Sequence, residues 1–315
     1  MLEEVERWLE RRSWSVADRP PHQLVAAKRA SGLTVSVVLP ALDEEATVGE
    51  IVTVIRRELM TEAVPLVDEL VVLDSGSTDR TAEVAAAAGA RVVHRDTILP
   101  RIPAKPGKGE VLWRSLYVTS GDIVCYVDAD LKDFSADFVS GIVGPLLTDP
   151  GVSFVKAMYD RPLGGAAGQG GRVTELMARP ILNLHWPRLA GFVQPLGGEY
   201  AARRSLLERL PFPVGYGVEL GLLVDALHTV GLDALAQVDV GVRIHRHQDG
   251  LALGRMAAAI YRTAQLRLAR GHLVRPELTQ FERGEGGFVP RTYAVDTVER
   301  PPMAEIGEYA ERRVA

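Results

Sequence analysis

The feature that most constrains the fold is an alternation of short β-branched runs with helical segments through the first half of the chain. The segment TVSVVLPALDEEATVGEIVTVIRREL predicts a buried strand over about Val35 to Leu39, followed by a helix that opens near Asp43. DELVVLD, RVVHR and DIVCYVDAD predict further strands, with helical segments between them. Such alternation builds a mostly parallel sheet with right-handed crossovers and helices on both faces. The sequence therefore predicts an α/β, Rossmann-like fold.

Composition excludes several classes of protein. The chain has 315 residues, one cysteine and a formal net charge of −5. Cys125 alone cannot form an intrachain disulfide or a thiolate zinc cluster, and the acidic balance argues against a nucleic-acid partner. No run approaches the length of a membrane span, and the opening MLEEVERWLERR lacks the apolar core of a signal peptide. We therefore expect a cytoplasmic protein that crosses no membrane.

Carboxylates are the first candidates for a site. Asp128 and Asp130 follow the predicted strand DIVCYVDAD, and both would face one cation if the strand stays extended through Ala129. Mg²⁺ and Mn²⁺ prefer such oxygen ligands. Alternatively, both aspartates are ordinary turn residues whose side chains bond their own backbone. Ligands bind beyond the carboxyl ends of parallel strands, which favours a cation site. Glu219 begins another predicted helix, either as a dipole complement or as a site carboxylate.

A polar turn follows the second predicted strand. In DSGSTD, residues 74–79, we expect Asp74 and Ser75 to contact a ligand such as a ribose hydroxyl. We expect Ser77 or Thr78 to cap the helix that follows. This turn would thus combine ligand binding with helix capping.

The positions of the glycines limit which kinds of nucleotide-binding site the chain can contain. PALDEE, residues 40–45, stands where dinucleotide enzymes carry G-x-G-x-x-G, and no P-loop motif is present, so dehydrogenase and P-loop functions lose most of their support. KPGKGE places Lys105 and Lys108 in a glycine-rich turn before a helix, where an ammonium group and exposed amides suit phosphates. An exposed basic loop is the alternative.

The second half of the chain carries two further candidate segments. GQGGRVTEL places Arg172 and Thr174 at the entrance of a helix, which favours anion binding over a mobile surface loop. QVDVGVRIHRHQ alternates, so Arg243, His245 and His247 are expected on one strand face, as a site wall that offers a metal ligand and anion contacts. The opposite face would carry Val238, Val240, Val242 and Ile244.

The chain resembles the glucosyl-3-phosphoglycerate synthases of actinobacteria, and the closely similar mannosyl-3-phosphoglycerate synthases, in a series of ordered segments. These are VSVVLPALDEEATV, VLDSGSTD, KPGKGE, the DAD motif, GGRVTEL, QPLGGEYAA, GYGVELGLL and QVDVGVRIHRH, from about residue 34 to residue 248. The resemblance implies a GT-A fold with a smaller acceptor-binding lobe. It also implies a retaining, metal-dependent transfer of a hexose from a nucleotide diphosphate sugar to the 2-hydroxyl of 3-phosphoglycerate.

The resemblance and the strand-end positions together assign residues to roles. The nucleotide sugar would be bound by Pro40, Ala41, Leu42, Glu44, Asp74, Ser75, Lys108, Asp128 and Ala129. Mg²⁺ or Mn²⁺ would be held by Asp130 and His245. The acceptor would be bound by Gly171, Arg172, Thr174, Arg243 and His247. The catalytic candidates, near the transferred sugar, are Glu219, Lys108 and Leu196.

The predicted organisation has four segments. They are an N-terminal helical extension over 1–32, a nucleotide-sugar-binding half over 33–150, an acceptor-binding half over 151–250, and a C-terminal helix and tail over 251–315. The family resemblance implies a homodimer. His247 departs from the glucosyl relatives, which carry asparagine at that position.

The sequence is compatible with several activities. Glucosyl transfer from UDP-glucose is favoured, and mannosyl transfer from GDP-mannose is the first alternative. A sugar-phosphate nucleotidyltransferase is a more remote one, because it would carry a glycine-rich, arginine-bearing loop where this chain has PALDEE. A nucleotide-sugar sensor without turnover is the non-enzymatic alternative.

Overall fold

The computed structural model describes residues 2–161, 171–244, 250–268, 277–284, 287–294 and 297–314. The helices are α1 (Glu3–Arg12), α2 (Pro21–Ser31), α3 (Val48–Leu59), α4 (Thr81–Ala87), α5 (Lys108–Val118), α6 (Asp137–Thr148), α7 (Arg179–His185), α8 (Arg204–Leu207), α9 (Val218–Val230), α10 (Gly250–Leu268) and α11 (Gly307–Val314). A π-helical turn (Thr174–Ala178) precedes α7. The strands are β1 (Ser13–Ser15), β2 (Val35–Ala41), β3 (Glu69–Asp74), β4 (Arg91–His94), β5 (Ile123–Tyr126), β6 (Phe154–Asp160), β7 (Tyr200–Arg203), β8 (Phe212–Pro213), β9 (Leu235–Val242), β10 (Glu277–Gly284), β11 (Gly287–Ala294) and β12 (Glu299–Arg300).

Eight of the described strands form one sheet in the order β1-β9-β6-β7-β5-β2-β3-β4. Neighbouring strands are parallel, except that β7 runs antiparallel to β5 and β6. Along β2, Val37 and Leu39 pack into one hydrophobic core and Val38 packs into the other, as expected of a strand buried on both faces. The predicted mostly parallel α/β architecture is confirmed.

Helices cover both faces of this sheet. Apolar residues of α2, α3 and α6 pack into the core that contains Val37, and those of α1, α5, α9 and α10 pack into the core that contains Val38. In α3 the buried residues Ile51, Val52 and Ile55 recur at helical spacing and form its inner stripe. None of the described helices is sufficiently long and apolar to pass through a bilayer.

The turn after β2 differs from the prediction, because α3 begins at Val48 rather than near Asp43. Asp43 adopts a left-handed conformation with φ 55°, and its carboxylate accepts the Thr78 N–H at 2.7 Å. The Glu44 N–H donates to Thr81 Oγ1 at 2.8 Å. These residues bond to Thr78 in the loop after β3 and to Thr81 at the start of α4, instead of starting α3 themselves.

The predicted cap of α4 was also wrong. The helix begins at Thr81, three residues after Thr78, and the Thr81 N–H donates to Asp79 Oδ1 at 2.9 Å. Ser77 bonds instead to Asp74. The side chains of the DSGSTD turn therefore stabilise the turn and the neighbouring loop.

A bulge in β9 inverts its predicted faces. The pairing of β9 with β6 shifts register in this stretch, and Gly241 has a φ of 92°. Val240 is buried, but Val242 and Ile244 are exposed by 53% and 42%, whereas Arg243 is only 3% exposed. The extra residue reverses the alternation. The prediction that the four aliphatic residues share one face was therefore wrong, and Arg243 turns into the protein.

The N-terminal segment is more than the predicted helical extension. It contributes β1, which pairs in parallel with β9 at the edge of the main sheet. Trp8 of α1 is fully buried, and its indole N–H donates to the Leu235 carbonyl at 2.7 Å. Residues 2–15 therefore complete the sheet and one of its cores.

The C-terminal segment is likewise more than one helix and a tail. After α10 the chain forms the antiparallel hairpin β10–β11, then β12, which pairs with β8, and finally α11. Arg300 of β12 donates to Glu110 Oε2 at 2.7 Å in the protein interior. This segment is thereby fixed to α5.

Candidate active site

A cavity of about 800 Å³ lies beyond the carboxyl ends of β2, β3 and β5. The predicted site residues that line it are Pro40, Ala41, Leu42, Glu44, Ser75, Lys108, Asp128, Ala129, Asp130, Gly171, Arg172, Thr174, Leu196, Glu219 and Arg243. Asp74 is not in this lining. His245 and His247 lie outside the described residues. The position agrees with the rule that ligands of parallel α/β sheets bind at this edge.

The loops after β2 and β3 form one side of the cavity. The Ser75 N–H donates to the Ala41 carbonyl at 2.9 Å, which aligns the ends of the two strands. Asp74 is 5% exposed, and its carboxylate accepts the Ser77 N–H at 3.1 Å. Asp74 therefore stabilises the turn that presents Ser75.

Lys108 is the first residue of α5 and lies between two carboxylates. Its ammonium group donates to Asp128 and is 2.8 Å from Glu219 Oε1. A Cβ on Gly109 would lie 1.7 Å from the Pro213 carbonyl oxygen, so glycine permits the start of α5 to approach β8. Burial alone would lower the pKa of Lys108, but the charges of Asp128 and Glu219 raise it above its ordinary value. The Lys108 side chain therefore carries its positive charge.

The two aspartates lie beyond β5, because that strand ends at Tyr126 and does not extend through Ala129. They nevertheless meet at one cation: Arg243 Nη2 donates to Asp128 Oδ2 at 2.8 Å and to Asp130 Oδ1 at 3.2 Å. Burial opposes ionisation of Asp128, yet Lys108 and Arg243 lower its pKa to about 2. Burial and the charge of Asp128 raise the pKa of Asp130. The negative charge of Asp128 is therefore balanced by two cations, whereas the negative charge of Asp130 is only poorly balanced.

Sequence reasoning missed Glu199, a fully buried residue directly before β7. Its carboxylate accepts from Arg243 Nε at 2.9 Å and from the Tyr159 hydroxyl at 2.6 Å. A Cβ on Gly198 would lie 2.2 Å from Asp128, so glycine is needed where this segment passes the aspartates. The available sequence signal was an acid after paired glycines in QPLGGEYAA. Arg243 therefore holds carboxylates on two sides, and its contact with the acceptor stays a prediction.

A second charged side of the cavity is formed at the helical start after residue 171. Gly171 has a φ of 77°, and Arg172 and Thr174 line the cavity beside it. Backbone N–H groups at a helix start, an arginine and a hydroxyl suit an anion. Arg161, which the sequence reasoning did not select, also lines the cavity and donates to the Tyr159 hydroxyl at 2.9 Å.

A further group of lining residues was missed because its pattern is typical of a core helix. Tyr216 precedes α9, and Leu253, Met256 and Ile260 belong to α10. The spacing of three and four residues between the α10 positions predicts only an amphipathic helix. Nothing in the local sequence distinguishes a cavity wall from core packing.

The donors present fit a divalent cation at Asp130. Its carboxylate borders the cavity, and its negative charge is poorly compensated, a condition that a cation relieves. Among the described residues no three His, Cys, Asp or Glu side chains form a metal cluster. A complete ligand set would therefore draw on oxygens of a bound nucleotide or on residues outside the described ranges, such as His245.

Comparison with known proteins places this geometry in a family. The Glycosyl transferase family 2 model matches residues 36–165. Glucosyl-3-phosphoglycerate synthase of Mycolicibacterium smegmatis is 51% identical over 95% of this chain and 98% of the relative, and that of Mycobacterium tuberculosis is 48% identical over 93% and 90%.

Solved structures of related synthases also resemble this chain. Mannosyl-3-phosphoglycerate synthase from Rubrobacter xylanophilus matches with a TM-score of 0.89 and 42% identity, covering 96% of this chain and 97% of that one. Glucosyl-3-phosphoglycerate synthase from M. tuberculosis, in complex with Mn²⁺, UDP and phosphoglyceric acid, matches with a TM-score of 0.82 and 48% identity over 92% and 94%. The chain therefore belongs to the glucosyl-3-phosphoglycerate synthase family of hexosyltransferases, which has the GT-A fold.

Proposed function

We propose that the protein transfers glucose, with UDP-glucose as the favoured donor, to the 2-hydroxyl of 3-phosphoglycerate with retention at the anomeric carbon. The observation that carries the proposal is one cavity with two differently charged sides. Lys108, Asp128 and Asp130 suit a diphosphate with its cation, and Arg172 with Thr174 suits a phosphorylated acceptor. The 48–51% identity to glucosyl-3-phosphoglycerate synthases supports glucose as the sugar.

On the donor side, the loops that carry Ala41 and Ser75 would bind the nucleoside. Mg²⁺ or Mn²⁺, held by Asp130 and His245, would neutralise charge on the diphosphate. Lys108 adds a fixed positive charge at the N-terminus of α5, where it stabilises the negative charge that develops on the leaving group. We assign Lys108 the main electrostatic role of the chain's own residues.

On the acceptor side, Gly171, Arg172 and Thr174 would hold the phosphate and direct the 2-hydroxyl toward Leu196 and Glu219. The Glu219 carboxylate is already engaged, because it forms an ion pair with the Lys108 ammonium group at 2.8 Å. We therefore assign the acceptor's proton to an oxygen of the leaving diphosphate. The new bond joins the acceptor oxygen to the anomeric carbon on the face from which the diphosphate departs with its bonding electron pair.

The test is an assay of the purified chain with Mg²⁺, 3-phosphoglycerate and UDP-glucose. We expect phosphoglycerate-dependent release of UDP and a product that retains the α configuration by NMR. Pyrophosphate formation from UTP and glucose 1-phosphate, without such transfer, would point to a nucleotidyltransferase. Tight donor binding with no turnover on either UDP-glucose or GDP-mannose would point to a sensor, and either result would refute the proposal.

Mannosyl transfer from GDP-mannose is a second candidate. It is favoured by the match to the R. xylanophilus mannosyl-3-phosphoglycerate synthase, whose TM-score is 0.89. The ratio of kcat/KM for the two donors, measured with the same acceptor, decides between them. We expect the ratio to favour UDP-glucose.

We further propose that the enzyme works in the cytoplasm as a homodimer. Its one cysteine, Cys125, is buried, which suits a compartment without disulfide formation. Light scattering tests the assembly, and a mass equal to a single 34.2 kDa chain at working concentrations would exclude the dimer. Fractionation of the native cells tests the compartment.

A further inference from the structure

One side of the cavity carries no charge. Leu253, Met256 and Ile260 of α10 line it beside Tyr216, and we call the three α10 residues the apolar wall. Their positions along α10, at intervals of three and four residues, place the three aliphatic side chains on one helix face. Both proposed substrates are multiply charged, so binding them does not by itself explain an aliphatic surface here.

The apolar wall is fixed by contacts at its back. Gly217, next to Tyr216, packs so closely on α10 that an added Cβ would lie 1.9 Å from Thr263 Oγ1. Arg267, near the end of α10, donates to Asp225 of α9 through Nε at 3.0 Å and is 2.8 Å from Glu299 of β12. A helix tied to two other elements in this way holds its inner face in one position.

The apolar wall also lies beside the proposed acceptor side. α10 packs against α9, which carries Glu219, and against the π-helical turn that begins at Thr174. Glu219, Thr174 and the apolar wall all border the same cavity. The wall is thus next to the place where an acceptor hydroxyl would meet the sugar.

A hexosyl donor activated for transfer is also open to water. In hydrolysis a water oxygen bonds to the anomeric carbon, the carbon–oxygen bond to the phosphate breaks with its electron pair on the diphosphate, and the water proton goes to a phosphate oxygen. Aliphatic side chains offer water no hydrogen bond, so they disfavour an ordered water beside the sugar. Arg172 and Thr174 can still place the acceptor hydroxyl there.

From this arrangement, which rests on the proposed function, we infer that the apolar wall selects the acceptor over water. Leu253 and Met256 are its specificity-determining residues, since Ile260 is 1% exposed and belongs mainly to the core. Polar groups at these two positions would supply the hydrogen bonds that a hydrolytic water lacks.

The test compares the wild type with Leu253→Asn and Met256→Gln at saturating 3-phosphoglycerate and again without it. Free hexose and hexosyl phosphoglycerate are both quantified by NMR. At saturating 3-phosphoglycerate we expect the fraction of donor turnover that ends in free hexose to rise about tenfold in each variant, the scale on which one pocket group discriminates. Without 3-phosphoglycerate all turnover is hydrolysis, and there we expect its rate to rise. Met256→Leu, which keeps the wall apolar, should retain the wild-type fraction.

Leu266→Gln is the matched control, because Leu266 lies on α10 outside the cavity lining and is 36% exposed. We expect it to leave the fraction unchanged, and melting temperatures identify any variant that is merely unfolded. An unchanged fraction in folded Leu253→Asn and Met256→Gln enzymes that still transfer would overturn the inference. Absence of transfer in the wild type would instead overturn the proposed function.

Discussion

At the scale of single residues, Glu199 controls how much positive charge Arg243 presents to the two aspartates. The guanidinium is shared among Glu199, Asp128 and Asp130, at 2.9, 2.8 and 3.2 Å. In Glu199→Gln its whole charge would face the aspartates and weaken their attraction for a divalent cation. Changes to such outer-shell partners typically lower metal affinity or activity by about 10- to 100-fold.

We therefore expect Glu199→Gln to raise the Mg²⁺ concentration for half-maximal activity and to weaken Mn²⁺ binding measured by calorimetry. Glu208→Gln is the matched control, because Glu208 is also buried but contacts Tyr309 at another place in the protein. Equal Mg²⁺ requirements in the two variants would show that Glu199 has only a structural role.

Lys156, a fully buried residue of β6, predicts a pH dependence of stability. Burial lowers its pKa from 10.5 to about 8, although its ammonium group donates to the Gly197 carbonyl at 2.7 Å. Between these pKa values the unfolded chain binds more protons than the folded protein, so folding is favoured as the pH rises. From pH 7 to pH 9.5 the wild type should gain about 2 kcal/mol of unfolding free energy relative to Lys156→Met. A stability difference that stays constant over this range, measured by urea denaturation, would contradict the assigned shift.

The sequence identified residues of the candidate site where suitable side chains follow the end of a strand, and it missed those defined only by tertiary contacts. Lys108, Asp128 and Arg172 lie in short motifs whose position at an element boundary already indicates a ligand. Glu199 follows paired glycines in QPLGGEYAA, but its role depends on its contacts with Tyr159 and with Arg243, which lies 44 residues later. No local pattern contains that information.

At the scale of elements, the bulge in β9 decides which way Arg243 points. Gly241 has a φ of 92° with no atom near its missing Cβ, so the cost of a side chain there is purely conformational. We expect Gly241→Ala to destabilise the protein by about 1–2 kcal/mol, the penalty for an L-residue in a left-handed conformation. Gly307→Ala is the control, because that glycine has equally open surroundings and no positive φ. Equal unfolding midpoints in denaturant for the two variants would argue against strain at the bulge.

The type of an element could be predicted where apolar residues recur at regular spacing, but the residues at which it begins and ends could not. β2 and β3 follow from apolar runs, whereas the start of α3 moved to Val48 because Asp43 bonds to Thr78 across two loops. The alternation of β9 likewise gives the strand but not the bulge, which depends on its pairing with β6. Local propensity therefore sets the element, and its neighbours set where it ends.

At the scale of the whole molecule, the segments predicted on either side of residues 32 and 150 share one sheet. β1 from the N-terminal segment pairs with β9, and β7 from the later half lies between β5 and β6. Sequence alternation could indicate a parallel sheet, but it could not show that the N-terminal segment supplies an edge strand. That pairing joins residues more than 200 positions apart and follows from the burial of α1.

The N-terminal segment also contributes to the stability of the whole protein. Trp8 is fully buried, its ring centroid is 4.7 Å from that of Phe192, and its indole N–H donates to the carbonyl of Leu235, the first residue of β9. Trp8→Ala would leave a cavity and an unpaired carbonyl, so we expect the whole protein to lose about 3–5 kcal/mol of unfolding free energy. Leu2→Ala, at a position 41% exposed, should change it by less than about 0.5 kcal/mol. If residues 2–15 were instead a separable extension, Trp8→Ala would leave the main unfolding transition of the protein unchanged, because the sheet would not depend on α1.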